Sequence, residues 1–229
     1  MNYLYCATNA LTKWLKADLP RLPTVPGQQV GVNTITSTRE QMCWQLHMIE
    51  NRYRSRHRTI IAIEANSRFT LFIPADLLMS VEELTQRLHM EWQWVLAETL
   101  RLNRRMPGSD IAFMLSKLSE LAFEPQWVKN TDRSVNGHVS DAGLWVTQTL
   151  TDRRQEALSA KLALELAVYL NTQPKRMNKA KDKFIPVEKL LSYCMSVINH
   201  EHAATEPESP DSSQQSAGKN VVYLKDYKH

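Results

Sequence analysis

Hydrophobic and polar positions change period several times along the chain, and each change marks an element. The opening Asn2-Tyr3-Leu4-Tyr5-Cys6 is an aromatic and apolar run that predicts a strand over 2–6. Thr8 stands where a helix cap would, and Leu11, Trp14 and Leu15 follow at spacings of three and four. Pro20, Pro23, Pro26 and Gly27 end that helix and open a loop running to about Thr38. In 42–50, Met42, Trp44, Leu46 and Met48 alternate with Cys43, Gln45, His47 and Ile49, which predicts a strand. The runs 57–65 and 68–73 are β-branched and aromatic, as strands favour. Their connections are of hairpin length, so an antiparallel meander is expected, with 2–6 at one edge.

From Ser80 the period is helical. Ser80 and Glu83 form a capping-box pattern, and Val81, Leu84, Leu88, Trp92, Val95 and Leu96 make one stripe of a helix reaching about Arg105. Pro107-Gly108 stops it, and a second helix from Ser109 turns Ile111, Met114, Leu115 and Leu118 inward. The segment 122–128, interrupted by Pro125, reads as a further strand. Helices are expected over roughly 139–150 and 153–170, with Asn136-Gly137 breaking anything earlier. The second carries Leu158, Leu162, Leu166, Tyr169 and Leu170 on its core stripe. Beyond a basic loop, Pro186 occupies a favoured first helical position, followed by a stripe at Val187, Leu190, Leu191, Cys194, Val197 and Ile198. The sum predicts an α+β fold, a small antiparallel sheet covered by about five helices in one domain, 1–199. Residues 200–229 are rich in Ser, Glu, Pro and Gln and predict a disordered tail. Its terminal NVVYLKDY is read either as a docking strand or, more simply, as a frayed end.

Composition narrows the classes. At 43% hydrophobic and 23% charged residues the chain is globular rather than wholly disordered. The most apolar helical run, ALSAKLALELAVYL, contains Lys161 and Glu165 and is too short to span a bilayer, and the N-terminus lacks the pattern of a secretory signal. A soluble cytoplasmic protein without membrane contact is the expectation. Cys6, Cys43 and Cys194 form no CxxC pair, so neither a zinc ribbon nor a disulfide framework is expected. No nucleotide-binding glycine loop, HExxH or GxSxG occurs, and no cofactor is predicted.

Charge is uneven along the chain. Setting aside the three lysines and five acids of 200–229 leaves 25 basic and 19 acidic groups in 1–199. Two clusters stand out. Arg52, Arg54, Arg56 and Arg58 recur at every second position around Tyr53, which in an extended arm would line up four guanidinium groups for phosphates, with Tyr53 free to stack on a base. Lys175, Arg176, Lys179, Lys181 and Lys183 form a flexible set suited to backbone-directed nucleic-acid contact. The plainer reading of both is solvated surface. An RxxxxH spacing of the kind small ribonucleases use occurs at Arg52–His57 and Arg133–His138, two matches where chance supplies roughly half a match, the first on a predicted hairpin and the second interrupted by Asn136-Gly137. Asp132, His138 and Asp141 lack regular metal-ligand spacing, and Asp132 with Ser134 reads as a helix cap. Trp94 lies off the stripe of its helix and beside Met90, which marks a candidate protein interface.

The segments YLYCATNALTKWLK, CWQLHMIENRYRSRHRTIIAIEANSRFTLFIP, KNTDRSVNGHVSD and LNTQPKRMNKAKDKFIPVEKL resemble, over about residues 2–195, an uncharacterised bacterial domain family found in plasmid-, phage- and transposon-associated proteins. The resemblance implies an α+β domain in a mobile-element or defence setting and transfers no catalytic residues. The loop 20–38 and the tail depart from it. Taken with the residues, it predicts a non-enzymatic accessory protein acting through an unidentified protein partner. The alternative is a DNA- or RNA-binding regulator using the two basic clusters, and a ribonuclease or toxin is third.

Overall fold

The computed structural model describes residues 1–24, 31–52, 55–75, 78–176 and 182–205, the side chains of 201–205 excepted. Five strands form one mixed sheet: β1 (Asn2–Ala7), β2 (Gln41–Glu50), β3 (Arg58–Glu64), β4 (Thr70–Pro74) and β5 (Glu124–Lys129), in the order β4-β3-β2-β1-β5. The meander β2-β3-β4 is antiparallel as its hairpin-length links require. β1, however, is not an edge strand. It lies between β2 and β5, parallel to both, so the sheet is mixed rather than antiparallel. The physical reason is legible in hindsight: Tyr3, Leu4, Tyr5 and Cys6 are all buried, and a strand apolar on both faces belongs inside a sheet. The edge position falls to β5, whose Pro125 cannot donate to a further strand.

Among the described residues, six helices pack around the sheet: α1 (Asn9–Leu15), α2 (Val81–Leu102), α3 (Gly108–Glu120), α4 (Arg133–Asp152), α5 (Ala160–Thr172) and α6 (Pro186–Thr205). The capping box of α2 is formed, with Glu83 N–H donating to Ser80 Oγ at 3.1 Å and Ser80 N–H to the Glu83 carboxylate at 2.7 Å. The predicted stripes of α2, α3 and α6 lie in one core with Tyr3, Trp44, Ile60 and Leu71 of the sheet. α6 continues to Thr205, past the expected domain boundary at 199, and residues 206–229, with the NVVYLKDY segment, lie outside the described residues.

Two helices differ from expectation in ways that build the site. α4 begins at Arg133 and runs unbroken through Asn136-Gly137. Asp132 caps it, accepting from Ser134 N–H at 2.6 Å, and Val135, Val139, Ala142 and Val146 bury one face. That burial outweighs the roughly 1 kcal/mol a mid-helix glycine costs. Farther along, a Cβ on Gly143 would stand 3.8 Å from Ile49 and Ile61, so α4 lies close on the sheet. α5 starts at Ala160 rather than 153, because Arg154 takes a left-handed φ of 52° that ends the preceding turn. α5 closes the far sheet edge: the Asn171 amide accepts from Thr70 N–H at 2.7 Å and donates to Thr70 O at 2.9 Å, standing in for a further strand.

Candidate functional site

α4 and α5 are consecutive helices whose N- and C-terminal ends respectively frame one cleft. Its lining comes from three elements: His138, Asp141, Ala142 and Trp145 of α4; Tyr169, Leu170 and Gln173 at the end of α5; and Pro174, Lys175 and Arg176. Lys175-Arg176 forms β6, paired antiparallel with Lys183-Phe184 (β7), so both ends of the expected basic loop belong to a two-stranded ribbon. Spacings of three, four and seven from His138 set Asp141, Ala142 and Trp145 on one face of α4. The cleft encloses about 500 Å³, within the range of small-ligand sites.

The inner end is polar and cationic. Lys175 Nζ donates to Arg68 O at 3.2 Å and to Thr70 Oγ1 at 3.1 Å, which draws the ammonium inward. Burial lowers its pKa to about 8, with Asp141 opposing and Arg68 adding to the fall. The backbone of Arg176 lies beside His138 and favours its protonated form. Desolvation, then the positive charges of Lys175 and Arg68, push its pKa down to about 4, against Asp141. Arg68 itself is buried behind the site in a left-handed turn with φ 60°, donating to Ala65 O and, at 3.2 Å, to Ser134 Oγ in the first turn of α4. Among the described residues its Nε has no hydrogen-bond partner. The β3–β4 turn thereby fixes both Lys175, through its carbonyl, and the start of α4.

The outer end is aromatic. Trp145 and Tyr169 meet edge to face at 5.0 Å between ring centroids, and they remain 41% and 44% exposed. Tyr169 was expected on the core stripe of its helix, but it points outward while its neighbour Leu170 is buried. A cleft with cations within and open rings at the mouth can hold a negatively charged group attached to a flat ring.

The arginine hairpin named from the sequence does not share this face with Lys175 and Arg176. The hairpin of Arg52, Arg56 and Arg58 joins the opposite end of the α4–α5 pair, where Asn51 Nδ2 donates to Glu156 O at 3.3 Å. The length of α4 from His138 to Asp152 alone separates the two places by about 20 Å. Ser55 N–H bonds to Arg52 O at 3.0 Å, and Arg58 pairs with Glu50 at 3.6 Å. Tyr53 and Arg54, like Lys179 and Lys181, lie outside the described residues. Lys183 belongs to the ribbon but not to the cleft lining.

Arg133 and His138, five apart on a continuous helix, point in directions about 140° apart, so no ribonuclease-like pair forms between them. Asp132 is spent on capping: besides Ser134, it accepts from Ile35 N–H at 2.9 Å. Among the described residues no three His, Cys, Asp or Glu side chains converge as metal ligands. Nor, among them, is any helix long and apolar enough to cross a membrane. The three cysteines are buried thiols, with burial foremost in raising their pKa values, that of Cys43 to about 12.

Met90 and Trp94 form a separate feature. One turn apart on α2, they are 64% and 45% exposed, and Trp94 lines a shallow recess with Phe72, Pro74, Ala163 and Leu164. Sequence reasoning missed Trp145, Tyr169 and Arg68. The signal for Trp145 was present in its spacing from His138, but only if α4 continues through Asn136-Gly137. No protein-family model and no curated protein matches the chain. The resemblance noted above therefore rests on the quoted residues alone.

Proposed function

We propose that this chain is a non-enzymatic, cytoplasmic binding protein that contacts nucleic acid through the α4–α5 cleft. One observation carries the reading: Lys175 and Arg176, from the Lys-rich cluster, line the same cleft as the exposed Trp145–Tyr169 pair. Stacking on aromatic rings combined with nearby cations is the general chemistry of single-strand recognition. Catalysis finds less support, because the His138 ring shares its surroundings with two cations, Lys175 and Arg68, that oppose its taking up a proton. The resemblance to plasmid-, phage- and transposon-associated domains supports a mobile-element or defence setting.

The test is fluorescence anisotropy with labelled single- and double-stranded DNA and RNA. Two cations engaging phosphates give a shallow dependence of log affinity on log salt, with a slope of about −1.4 for single strands. The combined Trp145→Ala and Tyr169→Ala change is expected to weaken binding at least tenfold, since each stacked base contributes roughly 1–3 kcal/mol. Unchanged affinity in that variant rejects the reading, as does cleavage of the strands.

A second reading draws on Met90 and Trp94, two large apolar side chains exposed one turn apart and suited to a protein partner. Its test is co-purification of proteins encoded beside the chain, with Trp94→Glu expected to release a specific partner and to leave nucleic-acid affinity unchanged. Identical co-purified sets from both forms reject it.

A further inference from the structure

We propose, building on the nucleic-acid reading, that the α4–α5 cleft takes a single ribonucleotide end group: a monophosphorylated ribonucleoside, free or at the terminus of an RNA strand.

The first ground is size. About 500 Å³ bounded by two helices and a ribbon is a small-ligand cleft, not a groove that follows several nucleotides. The second is the order of chemistry along α4. His138, Asp141 and Trp145 line the cleft in sequence, spanning about 10 Å of helix axis, which is the reach of one nucleotide from phosphate to base. Lys175 and the Arg176 backbone stand at the His138 end, and Arg176 lines the same cleft, so two cations are at hand to meet a phosphate. Trp145 and Tyr169 stand at the other end, where a base stacks. Asp141 lies between, at the position of the sugar.

Asp141 supplies the specificity. It lines the cleft on the face of α4 that it shares with His138 and Trp145. An ionised carboxylate only accepts hydrogen bonds, and the donors a sugar offers are its hydroxyls. A ribose therefore satisfies Asp141 better than a deoxyribose. A nucleotide within a strand fits less well. Such a unit carries phosphate on both sides of its sugar, and the cleft lining holds its cations, Lys175 and Arg176, at one end, which leaves the second phosphate beside the exposed rings. An end group avoids that mismatch.

The experiment is isothermal titration of the full chain with 5′-AMP, 3′-AMP, the corresponding deoxy-AMP, adenosine and orthophosphate. A parallel titration uses a short RNA with and without a terminal phosphate. The expected result is that at least one AMP isomer binds tenfold or more tightly than its deoxy form and than adenosine. Asp141→Asn is expected to shrink the ribose preference below threefold, and Arg176→Ala to remove the advantage over adenosine. Both residues line an open cleft, and unchanged thermal unfolding establishes that the variants are folded. AMP binding together with a preference for terminally phosphorylated RNA supports the proposal with a strand end as the source. AMP binding without RNA binding supports it with a free nucleotide as the source and overturns the nucleic-acid reading. RNA binding that ignores the terminal phosphate, with no AMP binding, overturns the proposal and leaves the nucleic-acid reading intact. Equal affinity for AMP and deoxy-AMP overturns the role given to Asp141, and with it the proposal. No binding of any probe overturns both.

Discussion

Acid should loosen this fold at His138, and the size of the effect follows from the cleft. Lys175 and Arg68 face the ring from the ribbon and from the β3–β4 turn, Asp141 from its own helix, and Tyr169 from α5. Its pKa falls from 6.5 to about 4 in the folded chain. The unfolded chain consequently binds the proton more tightly, so stability is unaffected above about pH 6.5 and falls as pH drops from there toward 4. At about 1.4 kcal/mol per pH unit the loss is capped near 3 kcal/mol. The ring is only partly buried, and solvent screening reduces the expected loss to about 1–2 kcal/mol. Urea unfolding of the wild type and of His138→Gln, at about pH 7 and about pH 4.5, isolates this contribution from the other titrating groups. Glutamine keeps a polar side chain of similar reach but has no proton to gain. The wild type is expected to lose about 1–2 kcal/mol more than the variant over that interval. Parallel losses in the two proteins would refute the charge environment assigned to the cleft.

Other consequences are as direct. Asn171→Ala leaves the Thr70 N–H and C=O buried without partners and is expected to cost about 2–4 kcal/mol, read as a lower urea midpoint. Gly137→Ala meets nothing within 4 Å and is expected to stabilise α4 by about 0.5–1 kcal/mol in the same assay. Arg52→Ala with Arg56→Ala, at the far end of the α4–α5 pair, is expected to change oligonucleotide affinity less than threefold in anisotropy measurements.

How much of this was legible in the sequence depended on whether the deciding contact was local. The capping box of α2 and the stripes of α2, α3 and α6 are local signals, and they are present where the residues put them. The burial of β1 between two parallel strands depends on α1 and the long loop returning the chain to β2, and on β5 arriving more than a hundred residues later, so a short apolar run alone did not reveal it. At the site the decisive fact was tertiary. Asn136-Gly137 reads as a break, yet packing of Val135, Val139 and Ala142 carries the helix through it, and only then do His138, Asp141 and Trp145 share a face. Lys175 was singled out for its charge. Its partners, Arg68 O and Thr70 Oγ1, are more than a hundred residues away, which no spacing could have shown.

Ultraviolet crosslinking of the protein to a photoreactive single-stranded RNA, with mass spectrometry to locate the adducts, tests the central claim most directly. Adducts concentrated on peptides containing Trp145 and Tyr169, and suppressed by competing unlabelled RNA, are the expected result. Adducts concentrated instead on the 51–58 hairpin, or scattered in proportion to surface exposure, would contradict the assignment of the cleft as the nucleic-acid contact.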